Sequence, residues 1–466
     1  MATSGTDQQS RDPAPQVKAK RPAAGRGSAV RVLARRLHFL AGIVVAPFLV
    51  AQCLTGLVYV FSPQIHDSLY ASQLYVDSQN GERRPVSEQV SAALTAHPEA
   101  TARSVITRPE PDRTTRVLLS VPGAEGIGAA AKARTVFVDP YTNYLNGELT
   151  TADNRMPANT WLRDLHSNLH LGAPGRLYAE LAASWLPLII VGGLVLWLAQ
   201  PRRRKRVRTR ELLVPSARAK GGWSRLRGVH GPLGLWLALG LLLVGITGLA
   251  MSQYAGGRAN QEVDPLHLRA PALVAAPVEI PPNAAPIGLD RALAVAEAEG
   301  LTGELILTLP QGPGGVFTAA ERSAGLPVQR DSIAIHPYTA QVTERIGWGD
   351  YSLAAALSTL GTEFHTGTLF GLANQILVTA LVLGLLVLIV LGYRMWWVRS
   401  PYRARWASLP PPAWRQLPRR TLLLTLPAAA ALGWLLPVLG VSLVGFILVD
   451  GLLTTINRRR RQKPLT

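Results

Sequence analysis

Long apolar stretches alternate with polar segments along this 466-residue chain. Four of the stretches reach the length of about 20 residues that crosses the roughly 30 Å hydrocarbon core of a bilayer. They predict four core transmembrane helices at 37–61, 178–199, 231–252 and 369–393. A further apolar region at 421–456, interrupted at Pro437, predicts a C-terminal transmembrane hairpin, or else one interrupted apolar segment.

Two long polar segments, 63–176 and 253–368, separate the core helices in pairs and resemble each other. Each begins with a helical pattern and continues with short runs that alternate apolar and polar residues, as half-buried strands do. Asp139-Pro-Tyr-Thr in the first segment matches His336-Pro-Tyr-Thr in the second, and both predict a turn between two strands. The fold class is therefore an α-helical membrane bundle of duplicated two-helix units, with two small α+β modules outside the membrane.

Charge fixes the orientation of these segments. The chain carries a net charge of +19 and has a pI near 10.8, but the two polar segments hold 17 of the 48 basic and 24 of the 29 acidic residues. The remaining basic residues flank the apolar stretches, as the positive-inside rule describes, so nucleic acid is excluded as the partner and membrane lipid is favoured. The rule predicts a cytoplasmic location for the polar, disordered segment 1–30, the basic loops 201–229 and 394–420, and the tail 457–466.

Histidines recur in two repeated frames. In one frame a histidine opens an apolar stretch, glycine follows four residues later, and a Thr-Gly pair follows after 17 residues. This frame comprises His38, Gly42, Thr55 and Gly56 in the first repeat, and His230, Gly234, Thr247 and Gly248 in the second. In the other frame, His166 and His365 each precede a glycine by six residues, at Gly172 and Gly371.

Paired histidines on facing membrane helices are suited to hold a haem iron by its two axial positions. A six-coordinate iron needs ligands at one membrane depth, which predicts the pairs His38 with His230 and His166 with His365. The alternative is that these histidines anchor helix ends at the membrane–water interface, where the free-energy cost of placing a histidine is small. Gly42 and Gly234, one turn further on, either admit a flat macrocycle or allow close helix packing.

His170 offers an alternative to His166. It lies four residues later and is predicted to share a helical face with it. Its counterpart in the second repeat is Leu369, so the repeat favours His166. Three roles are left open for His170: the ligand in place of His166, a hydrogen-bond partner of a haem propionate, or part of a third metal or haem site.

The remaining sequence signals are weaker. His66, His97 and His267 have no repeat partner and are predicted to be surface residues. Glu180, near the end of the second span, is predicted to be solvated by headgroups or to carry protons. No CxxC or CxxCH motif supports c-type haem or thiol redox chemistry. We also find no flavin or nicotinamide motif, so electrons must come from a cytoplasmic protein or a membrane quinol.

Four motifs together resemble the PepSY-associated transmembrane proteins over roughly residues 30–400. They are RLHFLAGI with TGLVYVFS, LRDLHSNLHLGAPGRL, VHGPLGLW with TGLAMS, and FHTGTLFGLANQIL with GYRMWWVR. The DPYT and HPYT segments look like PepSY modules. The resemblance implies a bacterial inner-membrane protein with periplasmic modules and two haems b. The charge rule predicts that both of its termini lie in the cytoplasm.

The function implied by this resemblance is that of a ferric-chelate reductase, which passes electrons across the membrane to a periplasmic ferric-siderophore. The alternatives are a PepSY-type membrane-anchored regulator of an envelope peptidase, and a metal-uptake accessory or permease without redox activity. The histidine quartet favours the reductase, because a regulatory anchor has no need of histidines at two depths in both repeats.

Overall fold

The computed structural model describes residues 26–77, 79, 81–120, 132–199, 212–215, 221–262, 269–322, 328, 330–399 and 419–462. The α-helices in chain order are α1 Arg26–Val44, α2 Ala46–Tyr59, α3 Ser62–Leu69, α4 Ala71–Leu74, α5 Val86–Ala96, α6 Pro157–Asn168, α7 Ala173–Leu198, α8 Gly222–Ala250, α9 Ala255–Glu262, α10 Leu289–Ala298, α11 Leu353–Thr366, α12 Leu372–Arg399, α13 Arg419–Leu435 and α14 Pro437–Gln462. The strands are β1 Thr101–Thr107, β2 Thr115–Ser120, β3 Lys132–Val138, β4 Leu145–Ala152, β5 Glu304–Thr308, β6 Phe317–Arg322, β7 Ser332–Ile335 and β8 Val342–Ile346.

A bundle of apolar helices forms one half of the molecule. Within the described residues, α7, α8 and α12 are each long and apolar enough to cross a membrane, and α1 with α2 passes the same test as a bent pair. The core between them is built mainly from leucine, alanine and valine side chains that face one another across the helices. The predicted membrane character of the chain is confirmed by these helices.

The first predicted span, 37–61, is not one straight helix. The segments 30–44 and 46–59 meet at an angle of 58°. Pro47 lies in the first turn of α2, where its ring excludes a continuous helix and leaves the carbonyl group of Ile43 without its helical donor. The hydroxyl group of Tyr393 in α12 donates a hydrogen bond of 2.9 Å to that carbonyl, which stabilises the bend.

The strands of both polar segments join in a single sheet. Its order is β4-β3-β2-β1-β5-β6-β7-β8, with every neighbouring pair antiparallel. The two halves meet where β1 pairs with β5, for example Val105 with Leu307. The sequence predicts two α+β modules, and the structure shows that they share one eight-stranded sheet.

One face of the sheet is covered by α5 and α10, one helix from each half. Ala93 and Ala292 are fully buried between these helices and the central strands. The backbone N–H group of Ser87 at the start of α5 donates a hydrogen bond of 3.1 Å to Asp290 at the start of α10. The two halves are thus related by an approximate twofold axis through the sheet and its helical cover.

The predicted Pro-Tyr-Thr turns are confirmed in both halves. The carboxylate of Asp139 accepts hydrogen bonds from the backbone N–H groups of Tyr141 and Thr142. In the second half, Nδ1 of His336 accepts the equivalent bonds from Tyr338 and Thr339. The histidine therefore replaces the aspartate as the cap of the same turn.

The C-terminal region forms a helical hairpin of α13 and α14, whose apolar segments 425–435 and 437–452 are shorter than those of α7, α8 and α12. It packs on α7, where the indole N–H of Trp185 donates a 2.9 Å hydrogen bond to Ser442 and the Trp185 ring contacts Phe446. Arg36 of α1 and Asp450 of α14 form a buried ion pair that fixes the hairpin to the bundle.

Several bounds differ from the sequence prediction. Helix α1 already includes residues 26–30, which the sequence assigns to a disordered segment, and residues 1–25 lie outside the described part of the chain. Helix α8 begins at Gly222, inside the predicted basic loop 201–229. Helix α14 extends to Gln462, into the predicted tail 457–466.

Val105→Ala is expected to destabilise the protein by about 2 kcal/mol, because it removes methyl groups from the fully buried centre of the sheet and leaves a cavity. Thermal unfolding of the detergent-purified protein measures the change. Val274→Ala is the matched control, since the Val274 side chain is 81% exposed. Equal midpoints for the two variants would show that the β1–β5 junction is not part of the core.

Candidate functional site: two pairs of histidines

Two histidine rings face each other at the end of the bundle nearest the sheet, called here the sheet end. His166 on α6 and His365 on α11 have ring centroids 6.4 Å apart. Both helices connect a strand segment to a membrane helix, and each carries its histidine in the last turn. The sheet and the bundle therefore meet at this pair.

A threonine orients each ring of the sheet-end pair. Thr55 Oγ1 lies 2.9 Å from Nδ1 of His166, and Thr247 Oγ1 lies 3.1 Å from Nδ1 of His365. Each threonine hydroxyl donates its own proton to a carbonyl in the preceding turn of its helix, at Ala51 or Leu243. The hydroxyl oxygen must then accept from the histidine, so Nδ1 carries the proton and Nε2 carries the lone pair.

The environment of this pair favours neutral imidazole. Desolvation, with a further contribution from His365, lowers the pKa of His166 to about 4. Desolvation also lowers the pKa of His365, against the opposing effect of its contact with the Val244 carbonyl. A neutral ring with a free Nε2 is the form that binds a metal ion.

The second pair lies near the other end of α7, called here the basic end. His38 on α1 and His230 on α8 have ring centroids 6.2 Å apart. Nδ1 of His38 donates a hydrogen bond of 2.7 Å to the carbonyl of Ile189 on α7. Nδ1 of His230 is buried near the backbone of Leu388, which is the equivalent residue of α12.

Glycines of neighbouring helices provide the room for these rings. A Cβ atom at Gly193 would lie 2.9 Å from Cε1 of His38, and one at Gly248 would lie 3.0 Å from Cε1 of His365. Gly56 packs on His166 in the same way, at 3.1 Å. The Thr-Gly pairs singled out in the sequence therefore seat the sheet-end histidines, since the threonine orients the ring and the glycine accommodates it.

A cavity of about 810 Å³ opens between the two basic-end histidines. Its volume lies within the range of about 300–1,000 Å³ that is typical of cofactor sites. The walls are mostly apolar side chains of α1, α7, α8 and α12, and four arginines line it near the ends of those helices: Arg31, Arg35, Arg227 and Arg399. Trp223 lies among these arginines, with the guanidinium groups of Arg227 and Arg399 each 5.5 Å from its ring centroid.

Gly42 and Gly234 both line this cavity. A Cβ atom at Gly42 would meet nothing within 4 Å, and one at Gly234 would meet only Leu388, at 3.8 Å. Close helix packing therefore does not require glycine at either position. Of the two interpretations that the sequence leaves open, the structure favours an open wall for a flat ligand.

The separation of the rings suits one metal ion between each pair. An imidazole nitrogen binds a transition-metal ion at about 2 Å and lies about 1 Å from its ring centre, which gives centroids about 6 Å apart across the ion. The observed 6.2 and 6.4 Å agree with this value. At the basic end, two histidines with a mostly apolar cavity between them would suit a haem.

His170 does not share a face with His166, contrary to the prediction. Helix α6 ends at Asn168, and both Leu169 and His170 have positive φ values. The left-handed backbone turns the exposed His170 ring away from His365 and against Trp161, 4.9 Å between centroids. In the structure, His166 therefore faces His365, and His170 does not.

Two other predictions about polar residues were wrong. His66 is buried, with 8% of its surface exposed, although the sequence suggests a surface residue. His97 is half-buried and contacts Glu148 at 3.0 Å, and His267 lies outside the described residues. Glu180 is buried and accepts hydrogen bonds from the backbone N–H groups of Tyr254 and Ala255, so it caps the start of α9.

A family model agrees with this architecture. The model for the PepSY-associated TM region matches residues 35–399, which is most of the chain and covers both histidine pairs and the sheet. The chain therefore belongs to the PepSY-associated transmembrane family, as its motifs suggest. A search of curated proteins found no match.

Gly193→Ala is expected to lower the thermal unfolding midpoint relative to Gly445→Ala. Both changes replace a glycine inside a helix, so their effects on helix propensity cancel in the comparison. The new methyl group at position 193 meets the His38 ring at 2.9 Å, whereas one at position 445 meets nothing within 4 Å. Thermal unfolding in detergent measures the difference, and a midpoint for Gly193→Ala at or above that of Gly445→Ala would contradict the seating of His38 on Gly193.

Proposed function

We propose that this protein is a b-type cytochrome of the bacterial inner membrane, which moves electrons across the membrane to a ferric chelate in the periplasm. His38 and His230 hold one haem, and His166 and His365 hold the other. Each haem, when bound, supplies one-electron oxidation and reduction of its iron. The electron donor is a cytoplasmic protein or a membrane quinol, and the acceptor is a ferric-siderophore.

The observation that carries this proposal is the occurrence of two opposed histidine pairs near the two ends of one membrane helix. Gly193, beside His38, lies 21 residues after Gly172 at the start of α7, and this stretch of helix is about 30 Å long. A site at each end divides a long electron jump into shorter ones. A single structural or regulatory site has no need of this spacing.

The residues of the basic-end cavity have separate roles in this proposal. The hydrogen bond from Nδ1 to the Ile189 carbonyl holds the His38 ring in the wall of the cavity and leaves the lone pair on Nε2. The apolar wall excludes water, and the arginines at the cavity's edge suit the two carboxylates of a haem. At the sheet end, Thr55 and Thr247 orient the rings.

The orientation follows from charge. The positive-inside rule assigns the arginine-lined end to the cytoplasm and the sheet to the periplasm. Electrons delivered from the cytoplasm or from a quinol would then leave at the sheet end. Reduction of bound Fe(III) to Fe(II) lowers the charge of the metal ion, which weakens its attraction to anionic oxygen donors and favours release.

The detergent-purified protein is expected to contain about two haems b per chain, because each opposed pair of histidines would hold one haem. Absorption spectra of the oxidised and dithionite-reduced protein, with a pyridine haemochrome count, measure this number. Sharp reduced α and Soret bands support the proposal. A folded but colourless protein would contradict it and would favour a PepSY-type regulator of an envelope peptidase.

His166→Ala is expected to remove one of the two haems, since it deletes one ligand of the sheet-end pair. His170→Ala is the matched control and is expected to retain both, because its ring packs on Trp161 and not opposite His365. The haem-to-protein ratio of each purified variant measures the effect. Loss of haem in His170→Ala with full content in His166→Ala would reverse the ligand assignment.

A further inference from the structure

The two faces of the eight-stranded sheet differ in their cover. Along β5 and β6 the residues facing α5 and α10, such as Leu305, Leu307 and Ala319, are buried. The alternate residues of the same strands remain partly or fully accessible to solvent: Glu304, Ile306, Thr308, Thr318, Ala320 and Arg322. The open part of this face, along β5 and β6, lies opposite the helical cover. On β1 and β2 the same face is buried, since Ile106 and Leu118 are each only 2% exposed.

The strand register gathers arginines on this face. Arg116 on β2 pairs with Ile106 on β1, and Ile106 pairs with Ile306 on β5. Arg322 on β6 pairs with Glu304 on β5. Because side chains of paired residues lie on the same side of a sheet, Arg116 and Arg322 flank the central strands on one face.

Arg108, which follows β1, forms a salt bridge with Glu304 on the same face. Arg330, just before β7, forms one with Glu363 of α11. In both arginines the Nε atom is buried and has no hydrogen-bond partner among the described residues. We call Arg108, Arg116, Arg155, Arg322 and Arg330 the arginine face.

Positive charge exceeds negative charge on the arginine face. Glu304 and Glu363 are already paired with Arg108 and Arg330, and Arg155 is paired with Asp153 at 3.6 Å. Among the residues that the structure describes, neither Arg116 nor Arg322 forms a salt bridge. The exposed guanidinium group of Arg322 is thus available to an incoming anion, while Arg116, only 9% exposed, contributes its charge from within the sheet.

The electrostatic environment reflects this excess. Desolvation, together with the charge of Arg108, lowers the pKa of Arg116 to about 10, while Glu304 acts in the opposite direction. Desolvation likewise lowers the pKa of Arg322, with Glu304 opposing it and Arg330 and Arg155 adding repulsion. An anion bound here would relieve the repulsion between these guanidinium groups.

The arginine face lies beside the sheet-end histidines. Glu363, the partner of Arg330, is two residues before His365 on α11. Arg155 lies two residues before Pro157, where α6, the helix that carries His166, begins.

We propose that the arginine face is the binding site for the substrate, and that the substrate is an anionic Fe(III) chelate with carboxylate groups. Guanidinium groups bind carboxylates through paired, charge-assisted hydrogen bonds, and several of them in a partly dehydrated site select against neutral and cationic chelates. Only the role of the chelate as an electron acceptor rests on the proposed function. Binding itself does not depend on haem.

The test measures binding of gallium(III) citrate to the full-length protein in detergent by isothermal titration calorimetry. Gallium(III) resembles iron(III) in charge and size but is not reduced under these conditions, so the titration reports binding alone. Arg322→Gln is expected to weaken binding about tenfold or more, and Arg116→Gln likewise. Arg84→Gln is the matched control, because its side chain is 52% exposed and pairs with Glu88 away from the face.

Arg322 is accessible to solvent, so its replacement leaves the fold intact even if Arg116→Gln does not fold. Unchanged affinity in Arg322→Gln would overturn the proposal, as would equal affinity for a neutral gallium hydroxamate or for metal-free citrate. The haem content of Arg322→Gln shows whether Arg322 binds the chelate or instead contacts the carboxylates of a haem. Haem loss with unchanged citrate affinity would assign Arg322 to the haem and overturn the proposal.

The outcomes also separate this inference from the proposed function. A haem-free protein that binds gallium citrate through Arg322 would contradict the cytochrome proposal and support the anion site. A protein with two haems that does not bind gallium citrate would leave the cytochrome proposal intact and overturn the anion site.

Discussion

The seating of each histidine ring on a neighbouring helix is the contact on which the rest of the arrangement depends. His38 of α1 packs on Gly193 of α7, and His166 of α6 packs on Gly56 of α2. The same segments of chain thus build both sites of one repeat, at opposite ends of the bundle. Because the second repeat supplies the facing ring of each pair, neither site is complete within one repeat. A shift of one helix along another would separate both pairs at once.

The same approximate twofold relation continues into the sheet. Strands β1 and β5 join the two halves, and α6 and α11 connect those halves to the membrane helices. A sheet fixes the spacing of its strands through a regular ladder of hydrogen bonds, so it also fixes the distance between the two connecting helices. The sheet therefore positions the sheet-end histidines as well as the arginine face beside them. The proposed binding site and the sheet-end histidines therefore share one sheet as their frame.

Two polar side chains in the bundle form hydrogen bonds with backbone groups at points where a helix breaks. Tyr393 bonds the carbonyl of Ile43 at the bend before Pro47, and Glu180 caps α9 after α8 ends. Backbone groups left unpaired in an apolar medium cost several kcal/mol each, as a rough figure, so such partners are required wherever a membrane helix breaks. Glu180 is buried, so its predicted solvation by headgroups is wrong, and its two hydrogen bonds give it this structural role; a role as a proton carrier stays a prediction. The four histidines have no such role at a helix break and face one another in pairs.

The sequence by itself determined the duplicated plan, the apolar helices, the two Pro-Tyr-Thr turns and the choice of histidines, because each leaves a periodic or repeated pattern along the chain. The tertiary structure decided which features of that pattern meet. It opposes His166 to His365 and turns His170 away, since a left-handed residue after α6 breaks the helical period. It brings Gly193 next to the ring of His38 and Gly392 next to the ring of His230. Each of these glycines lies 27 residues after the sheet-end histidine of its own repeat. It joins two modules in one sheet and gathers Arg116 and Arg322, because strand pairing links residues far apart in sequence, and no local pattern records that contact.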